Sequence, residues 1–396
     1  MARAWRFVLS ARYVLLLGAA TLVWHARYRL ILSDFMYVED VDRVALHHHG
    51  YPGGWSAVLH VYTNIPLMQI GPPPLLIGAP FMTLDGPESN RLSMLALMLA
   101  LIPCLWIAER AARAWGASRD ALRVYVLIAG LLLLPVWADI ALWYQHPDDI
   151  LIIGLVFGAV WAAGRDRWML AAVLLGTAMA TKPWAIGLIP ILLAAPRPRR
   201  AGLVLGAFAT FAGWWAPFVI ADRGTFAALG SVAVPVSAAS VYALLGVHGH
   251  PLLCAVGVPC PHLAYSWMRP AQLGAELAAA TLTARRGRVL AVPLVALTVR
   301  LLLDPQAWPY YGIGPVLMAV LWDLRTDRKL PMWALLVLAA DYASVVVGST
   351  LGQAVIKLTG GLIVLAWFLR PSRASDVEVP GRRRAVVSRR AALLPA

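Results

Sequence analysis

Twelve apolar segments of 12 to 20 residues alternate with short arginine-rich stretches along this chain, and this alternation restricts the possible folds more than any other feature. Hydrophobic residues make up 60% of the 396 positions and charged residues only 14%. Long apolar runs with so few charges are typical of helices that cross a bilayer. We therefore predict an all-α polytopic membrane protein with about twelve transmembrane helices. The candidate spans are 13–32, 91–108, 124–141, 149–163, 168–181, 184–195, 201–220, 268–283, 289–303, 311–323, 331–347 and 352–369.

The basic residues predict the orientation of these spans. Of the 34 lysines and arginines, 25 fall in segments that the twelve-span order places on one side, and 9 fall elsewhere. Because cytoplasmic loops are enriched in Lys and Arg, both termini are expected in the cytoplasm, with the protein in the plasma membrane. The net charge of +14 is explained by this bias, so we expect no nucleic-acid partner. The first apolar segment lacks an Ala-x-Ala cleavage pattern, and we expect it to be retained.

Two long segments are predicted outside the membrane. The first extracytoplasmic loop, 33–90, contains Tyr62 on an amphipathic stretch and a proline-rich stretch at 71–80, both expected as interfacial helices. The second, 221–266, contains Cys254 and Cys260, for which a disulfide is left open. The membrane domain is thus 1–369, and 370–396 is a basic cytoplasmic tail predicted to be disordered.

Short spans predict a recess at the outer face. The spans 149–163, 168–181 and 184–195 each rise only about 21 Å, against about 30 Å of hydrocarbon. Lys182 then lies at the same depth as His146, Asp148 and Asp149. A buried ammonium needs an anionic partner, which is either one of these carboxylates or a lipid-linked phosphate. The acidic residues are explained either as a helix cap or as part of a functional site.

Further polar residues gather at the same predicted face. Asp34 follows the first span and is either a solvated interfacial acid or a general base. Arg300 and Asp304 are spaced to pair along a helix. The aromatic residues that follow belong either to the interfacial belt or to a sugar-binding surface. Three consecutive histidines, 47–49, have no ligand-spaced partner and indicate surface contact rather than a metal site. The remaining residues considered are Asp40, Asp42, Trp308, Tyr310 and Tyr311.

Four motifs follow one another along the chain: SDFMY at 33–37, GPPPL at 71–75 with Pro80, QHPDD at 145–149 with TKPW at 181–184, and DPQAWPYY at 304–311. In this order they resemble the GT-C glycosyltransferases, specifically the bacterial family 87 enzymes that use polyprenyl-phosphate sugars and include mannosyltransferases. Gly71 stands where the family has an aromatic residue. Asp304 stands where it has Ser and Tyr310 where it has His, so the resemblance implies a difference in donor recognition at these two positions.

The resemblance implies an inverting transfer on the extracytoplasmic face. A sugar moves from polyprenyl phosphate to a hydroxyl of a glycolipid or lipid-linked glycan. The analogy indicates mannose as this sugar and leaves arabinofuranose and glucose open. Asp34 is the implied general base, and Lys182 the implied phosphate ligand, helped by His146 or Arg300. No cofactor is required, although a divalent metal is left open. The implied donor-binding residues also include Asp148, Asp149, Trp308, Tyr310 and Tyr311, and the acceptor side Tyr37, Asp40 and Asp42.

A transporter or lipid flippase is the alternative from another class. Such a protein would show repeated halves or broken helices at the membrane midplane. No repeat pairs the two halves of this sequence. A family member without catalytic activity is also left open by the Tyr310 substitution.

Overall fold

The computed structural model describes residues 7–27, 58–65, 70–82, 87–230, 234–251, 262–306, 308–325 and 330–371. These residues are almost entirely helical, which confirms the predicted helical class. The strand structure within them is one antiparallel pair of two-residue strands, with His250 opposite Leu263. The proposed base Asp34, its neighbours Tyr37, Asp40 and Asp42, and the pair Cys254 and Cys260 lie outside the described residues.

The first half of the described chain forms nine α-helices and one long 3-10 helix. Helix α6 continues directly into a π-helical turn at Asp139–Trp143. The helices are α1 Arg12–Arg27, α2 Val61–Asn64, α3 Pro72–Met82, α4 Pro87–Leu99, α5 Leu101–Ala114, α6 Arg119–Ala138, α7 Pro147–Gly164, α8 Trp168–Thr181, the 3-10 helix Pro183–Ala194 and α9 Arg200–Ala221.

The second half begins with short elements and ends with five longer helices. Short 3-10 turns at Val289–Ala291 and Pro309–Gly312 precede two of these helices. The elements are α10 Thr225–Gly230, α11 Val241–Leu244, β1 His250–Pro251, β2 His262–Leu263, α12 Met268–Arg285, α13 Val292–Leu302, α14 Ile313–Asp323, α15 Met332–Val346 and α16 Thr350–Phe368.

Every one of the twelve predicted spans falls on a helical segment, but the helices differ in length. Five are long and apolar enough to cross a membrane on their own, namely Arg91–Ala114, Arg119–Trp143, Pro147–Gly164, Arg197–Ala221 and Thr350–Phe368. Four others are apolar but have only 10 to 17 residues. The number of crossings therefore stays a prediction, while helices suited to a membrane are present.

Prolines set the boundaries near the predicted recess. Pro135 removes one backbone donor from α6, and the helix widens into the π-turn at Asp139–Trp143. The chain then reverses at Gln145, whose φ is 49°. Pro147 then occupies the first turn of α7, where a missing N–H costs nothing. At the end of α8, Pro183 holds Lys182 in an extended conformation (φ −144°, ψ 125°). These boundaries bring the ends of α7 and α8 together.

The core surrounds α7. This helix packs against α5 on one side and α8 on the other, and α8 packs in turn against α9. Helix α9 leaves large apolar side chains uncovered, with Leu205 69% and Ile220 82% exposed. Because a soluble protein would rarely leave so much apolar surface open, these faces suit contact with lipid.

The prediction that Tyr62 lies on the membrane surface is wrong. Its ring packs against Trp215 and Phe218 of α9, and its hydroxyl donates to the carbonyl of Ile70 at 2.9 Å. A phenol satisfied in this way gains more from protein packing than from an interfacial position. A second contact joins the same two segments: Thr63 Oγ1 donates to Asp222 Oδ2 at 2.5 Å. This hydrogen bond, with one from the Gly224 N–H, lowers the pKa of Asp222.

The proline-rich stretch forms α3, and its start contacts the end of α8. Gly71 N donates to the Thr181 carbonyl at 3.0 Å. A Cβ at residue 71 would lie 1.7 Å from the carbonyl oxygen of Ala180, so only glycine fits. The start of α3 is therefore fixed against the end of α8, one residue before Lys182.

Candidate functional site

Lys182 and two aspartates form an ion cluster where α7 begins and α8 ends. The Lys182 ammonium lies 2.7 Å from Asp148 Oδ2 and 2.7 Å from Asp149 Oδ1. Asp148 is 1% exposed, so its charge depends on this partner. The salt bridge that the sequence left as one explanation of Lys182 is thus present. It occupies two of the three ammonium donors and leaves one for another anion.

His146 connects this cluster to the aromatic 3-10 turn that precedes α14. Its Nδ1 lies 3.3 Å from Asp148 Oδ1. Its ring stacks on Tyr310, with centroids 4.2 Å apart and planes 25° apart. The ring of Tyr144 also packs against Tyr310, and their centroids are 4.7 Å apart. Tyr310 thus places a stacked ring beside His146.

Arg300 is buried without a hydrogen-bonding partner among the described residues. The residue is 7% exposed, and its Nε is fully buried and unpaired. Its guanidinium lies between two rings, 4.4 Å from the centroid of Trp184 and 4.7 Å from that of Tyr311. The nearest carboxylate oxygen, Asp304 Oδ2, is 3.7 Å from Nη2, which is too far for a hydrogen bond. Cation–π contacts therefore replace hydrogen bonds around this cation.

Asp304 has closer partners than Arg300. Its Oδ2 lies 3.2 Å from Arg269 Nη1 and accepts from Gln272 Nε2 at 3.3 Å. Its Oδ1 accepts from the backbone N–H of Gln306 at 2.9 Å. The predicted pairing of Arg300 with Asp304 is thus present only as a loose contact. Arg300 is the less satisfied member of the pair.

The two groups of residues meet in one small pocket. Asp149 enters it from the ion cluster, and Arg300, Tyr310 and Tyr311 line it from the other side. Its volume is about 30 Å³, about that of one water molecule. Trp308, the remaining predicted donor residue, is 48% exposed and lies outside this pocket. The structure therefore brings together seven of the eight predicted donor residues, while Trp308 lines a different, larger cavity.

Three side chains of the ion cluster have the composition of a metal site. The potential ligand atoms of His146, Asp148 and Asp149 lie within 4.8 Å of one another. A nitrogen and two carboxylate oxygens are acceptable to several divalent metals. In the present arrangement the Lys182 ammonium already supplies the positive charge between the two carboxylates.

Three residues near the site were not predicted from the sequence. Arg269 and Gln272 contact Asp304, and Glu276 lies one turn further along the same helix. Gln272 and Glu276 are 1% and 0% exposed. The available signal was two polar residues four positions apart in an apolar helix, which places both on one face.

Neither a scan against protein-family models nor a search of curated proteins found a match for this chain.

Proposed function

We propose that this chain is an inverting GT-C-type glycosyltransferase with about twelve transmembrane helices. It moves a sugar from polyprenyl phosphate to a hydroxyl of a glycolipid or lipid-linked glycan, and we propose mannose as this sugar. The observation that carries the proposal is Arg300, a buried guanidinium with no hydrogen-bond acceptor among the described residues, in one pocket with Asp149, Tyr310 and Tyr311.

A buried cation without an acceptor is unfavourable unless a ligand completes it. The guanidinium offers five donors in a planar fork that matches a phosphate group. Lys182 adds its third ammonium donor from the adjoining cluster. These two cations are suited to hold the phosphate of the donor, and Arg300 takes the larger share because Lys182 is already paired twice.

The pocket has to open for this ligand. Its volume of about 30 Å³ admits one water molecule. A phosphate group enters only when a bordering ring, Trp184 or Tyr311, turns away from Arg300. The cation–π contacts would then be exchanged for charge-assisted hydrogen bonds, which are the stronger interaction.

The proposed reaction uses Asp34 as the base and Arg300 and Lys182 as the cations. The acceptor oxygen attacks the anomeric carbon while Asp34 removes its proton. The bond from that carbon to the phosphate oxygen breaks, and the polyprenyl phosphate leaves with the bonding electrons. Arg300 and Lys182 stabilise the negative charge that develops on the leaving group. A single displacement of this kind inverts the anomeric configuration.

The active site is assigned to the extracytoplasmic side. Helices α7 and α8 meet at the ion cluster at one end and are joined at the other by a connection with Arg165 and Arg167. Because arginine-rich connections face the cytoplasm, the cluster belongs to the opposite face. The proposed localisation is the plasma membrane with both termini cytoplasmic.

The proposal is tested by replacing the base. Asp34→Asn and Asp34→Ala are expected to abolish transfer of radiolabelled mannose from polyprenyl-phosphate mannose in proteoliposomes supplied with an extract of membrane lipids. Protein yield and elution from a sizing column should match the wild type. Turnover at the wild-type rate in either variant would remove Asp34 from the mechanism.

The alternative of a transporter has one observation in its favour. Glu276 is completely buried, and neither carboxyl oxygen has a hydrogen-bond partner among the described residues. Carboxyl groups inside membrane proteins commonly carry protons in transport. A transporter would lose solute flux into liposomes on Glu276→Gln and would show no dependence on Asp34. The transferase predicts the reverse dependence.

A further inference from the structure

A second and larger cavity lies on the other side of the 304–312 segment. It has a volume of about 470 Å³ and is enclosed by α13, α14, α15, α16 and residues near Ser240. This volume is within the usual range for small-molecule and lipid sites, about 300–1,000 Å³. Leu336, Val355 and Ile363 line it and are 44–48% exposed. The cavity is therefore open on the apolar outer surface, where hydrocarbon chains would enter.

Three charged side chains line this cavity. Asp304 is paired with Arg269, while the two on α15 and α16 have opposite charges and are not paired with each other. Asp341 on α15 and Lys357 on α16 both face it. The structure gives neither side chain a hydrogen bond or an ion pair within 4.0 Å to any described residue. Asp341 instead packs its carboxylate against Gly312, where a Cβ would lie 1.8 Å from Oδ1. Ionisable residues on an apolar helix are costly and indicate a ligand or a pathway.

The charges lie at one end of the cavity. Asp341 is five residues from the end of α15, and Lys357 is seven residues after the start of α16. Both are thus about 8 to 11 Å from the turn that joins these helices. The lining beyond them is apolar except for Thr298 and Thr359, and it reaches Leu336 on α15 and Val364 on α16. A cavity with one charged end and one apolar end matches an amphiphile, which has a polar head group and a hydrocarbon chain.

The pair of charges selects among amphiphiles. A purely anionic head group would satisfy Lys357 but would bring its charge close to Asp341. A head group with a phosphate and an ammonium joined by a two-carbon linker satisfies both side chains at once. Primary ammonium groups also donate three hydrogen bonds, which a carboxylate accepts well. A choline head group lacks these donors.

We infer that this cavity binds a phospholipid with an ethanolamine phosphate head group, its phosphate on Lys357, its ammonium on Asp341 and one hydrocarbon chain along α16. The inference does not rest on the proposed transferase chemistry, although Asp304 and Trp308 of the 304–311 segment also line the cavity. The lipid fills the space between α13, α15 and α16 and pairs with both partly buried charges.

Native mass spectrometry of the full chain, released from detergent, tests this site. Ethanolamine, glycerol and choline phospholipids with identical chains are added in equal amounts. The wild type should retain the ethanolamine lipid at about tenfold lower concentration than the other two. Equal or tighter retention of the glycerol lipid would overturn the assignment. This comparison needs no variant and holds even if a substitution prevents folding.

Variants then locate the site. Lys357→Met and Asp341→Asn should each weaken retention of the ethanolamine lipid about tenfold, because each removes one charge-assisted contact. Ala339→Phe, at an exposed position of the lining, should weaken it by filling the cavity. The matched control is Arg27→Gln, which removes a charge from the exposed Arg27–Asp139 pair and should leave retention unchanged. Unaltered retention in both charge variants, or stoichiometric displacement by polyprenyl phosphate, would overturn the inference.

Discussion

Arg12 and Arg300 are equally buried but differ in what surrounds them. They are 8% and 7% exposed. Arg12 donates to Glu109 from Nε at 3.1 Å and from Nη2 at 2.6 Å, and to the Leu9 carbonyl at 2.9 Å. Glu109 also accepts from Tyr13 at 2.5 Å and from Arg113. Arg300 has no such bond among the described residues and lies between two aromatic rings.

The difference separates two uses of a buried charge. A fully hydrogen-bonded ion group fixes one arrangement of helices, and here it joins α1 to α5. An incompletely bonded cation contributes little to stability and retains its capacity for a ligand. Burial alone would have placed both arginines in one class. The hydrogen bonds of each group assign Arg12 to the fold and Arg300 to the site.

The largest effect on stability is expected at Arg12. Arg12→Met leaves Glu109 buried with fewer donors and should destabilise the protein by about 3 kcal/mol. The measurement is unfolding of the micelle-bound protein by titration with SDS. The control Arg12→Met with Glu109→Gln should recover part of the loss, because the buried charge is then removed as well. A loss below about 1 kcal/mol would show that this cluster does not join the helices.

Lys182 is expected to come second. The Lys182 side chain is 13% exposed, slightly more than the 10% of Arg12. Lys182→Met should therefore lower the free energy of unfolding by about 1.5–3 kcal/mol. Lys182→Ala should also raise the KM for the polyprenyl-phosphate donor more than that for the acceptor. If the donor titration does not change, Lys182 is only a structural partner of Asp148 and Asp149.

The smallest effect on stability is expected at Arg300. Arg300→Met should change the free energy of unfolding by about 1 kcal/mol or less, since only cation–π contacts and a loose ion pair are lost. Asp304 keeps its contacts with Arg269, Gln272 and the Gln306 N–H. The same SDS titration measures this. A loss as large as that at Arg12 would end the distinction between the two arginines.

Local features of the site were predictable from the sequence. Pro183 after Lys182 indicated the break between α8 and the following 3-10 helix, and Pro147 indicated the start of α7. The basic residues at 165 and 167 required a return of the chain between them and those at 197–200. Together these patterns predicted Lys182 at the depth of Asp148 and Asp149, and the structure shows the three residues in direct contact.

Long-range partners were not predictable in this way. The partner of Arg12 is 97 positions away, and nothing in the periodicity of α1 or α5 indicates it. Gly71 was noted only as a departure from a motif, although the carbonyl of Ala180 excludes any side chain there. Helical periodicity identifies which residues share a face but not which helix covers that face. The unpaired charges of Asp341 and Lys357 became visible only once α15 and α16 were packed together.

A donor titration with Arg300→Gln tests the central claim most directly. Arg269→Gln is the matched control, because Arg269 also contacts Asp304 but is 37% exposed and does not line the pocket. Initial rates are measured in proteoliposomes against increasing polyprenyl-phosphate mannose. The account predicts at least a tenfold loss of kcat/KM for the donor in Arg300→Gln, a change of about 1.4 kcal/mol, and a nearly unchanged value in Arg269→Gln. Equal donor use by the two variants would contradict it.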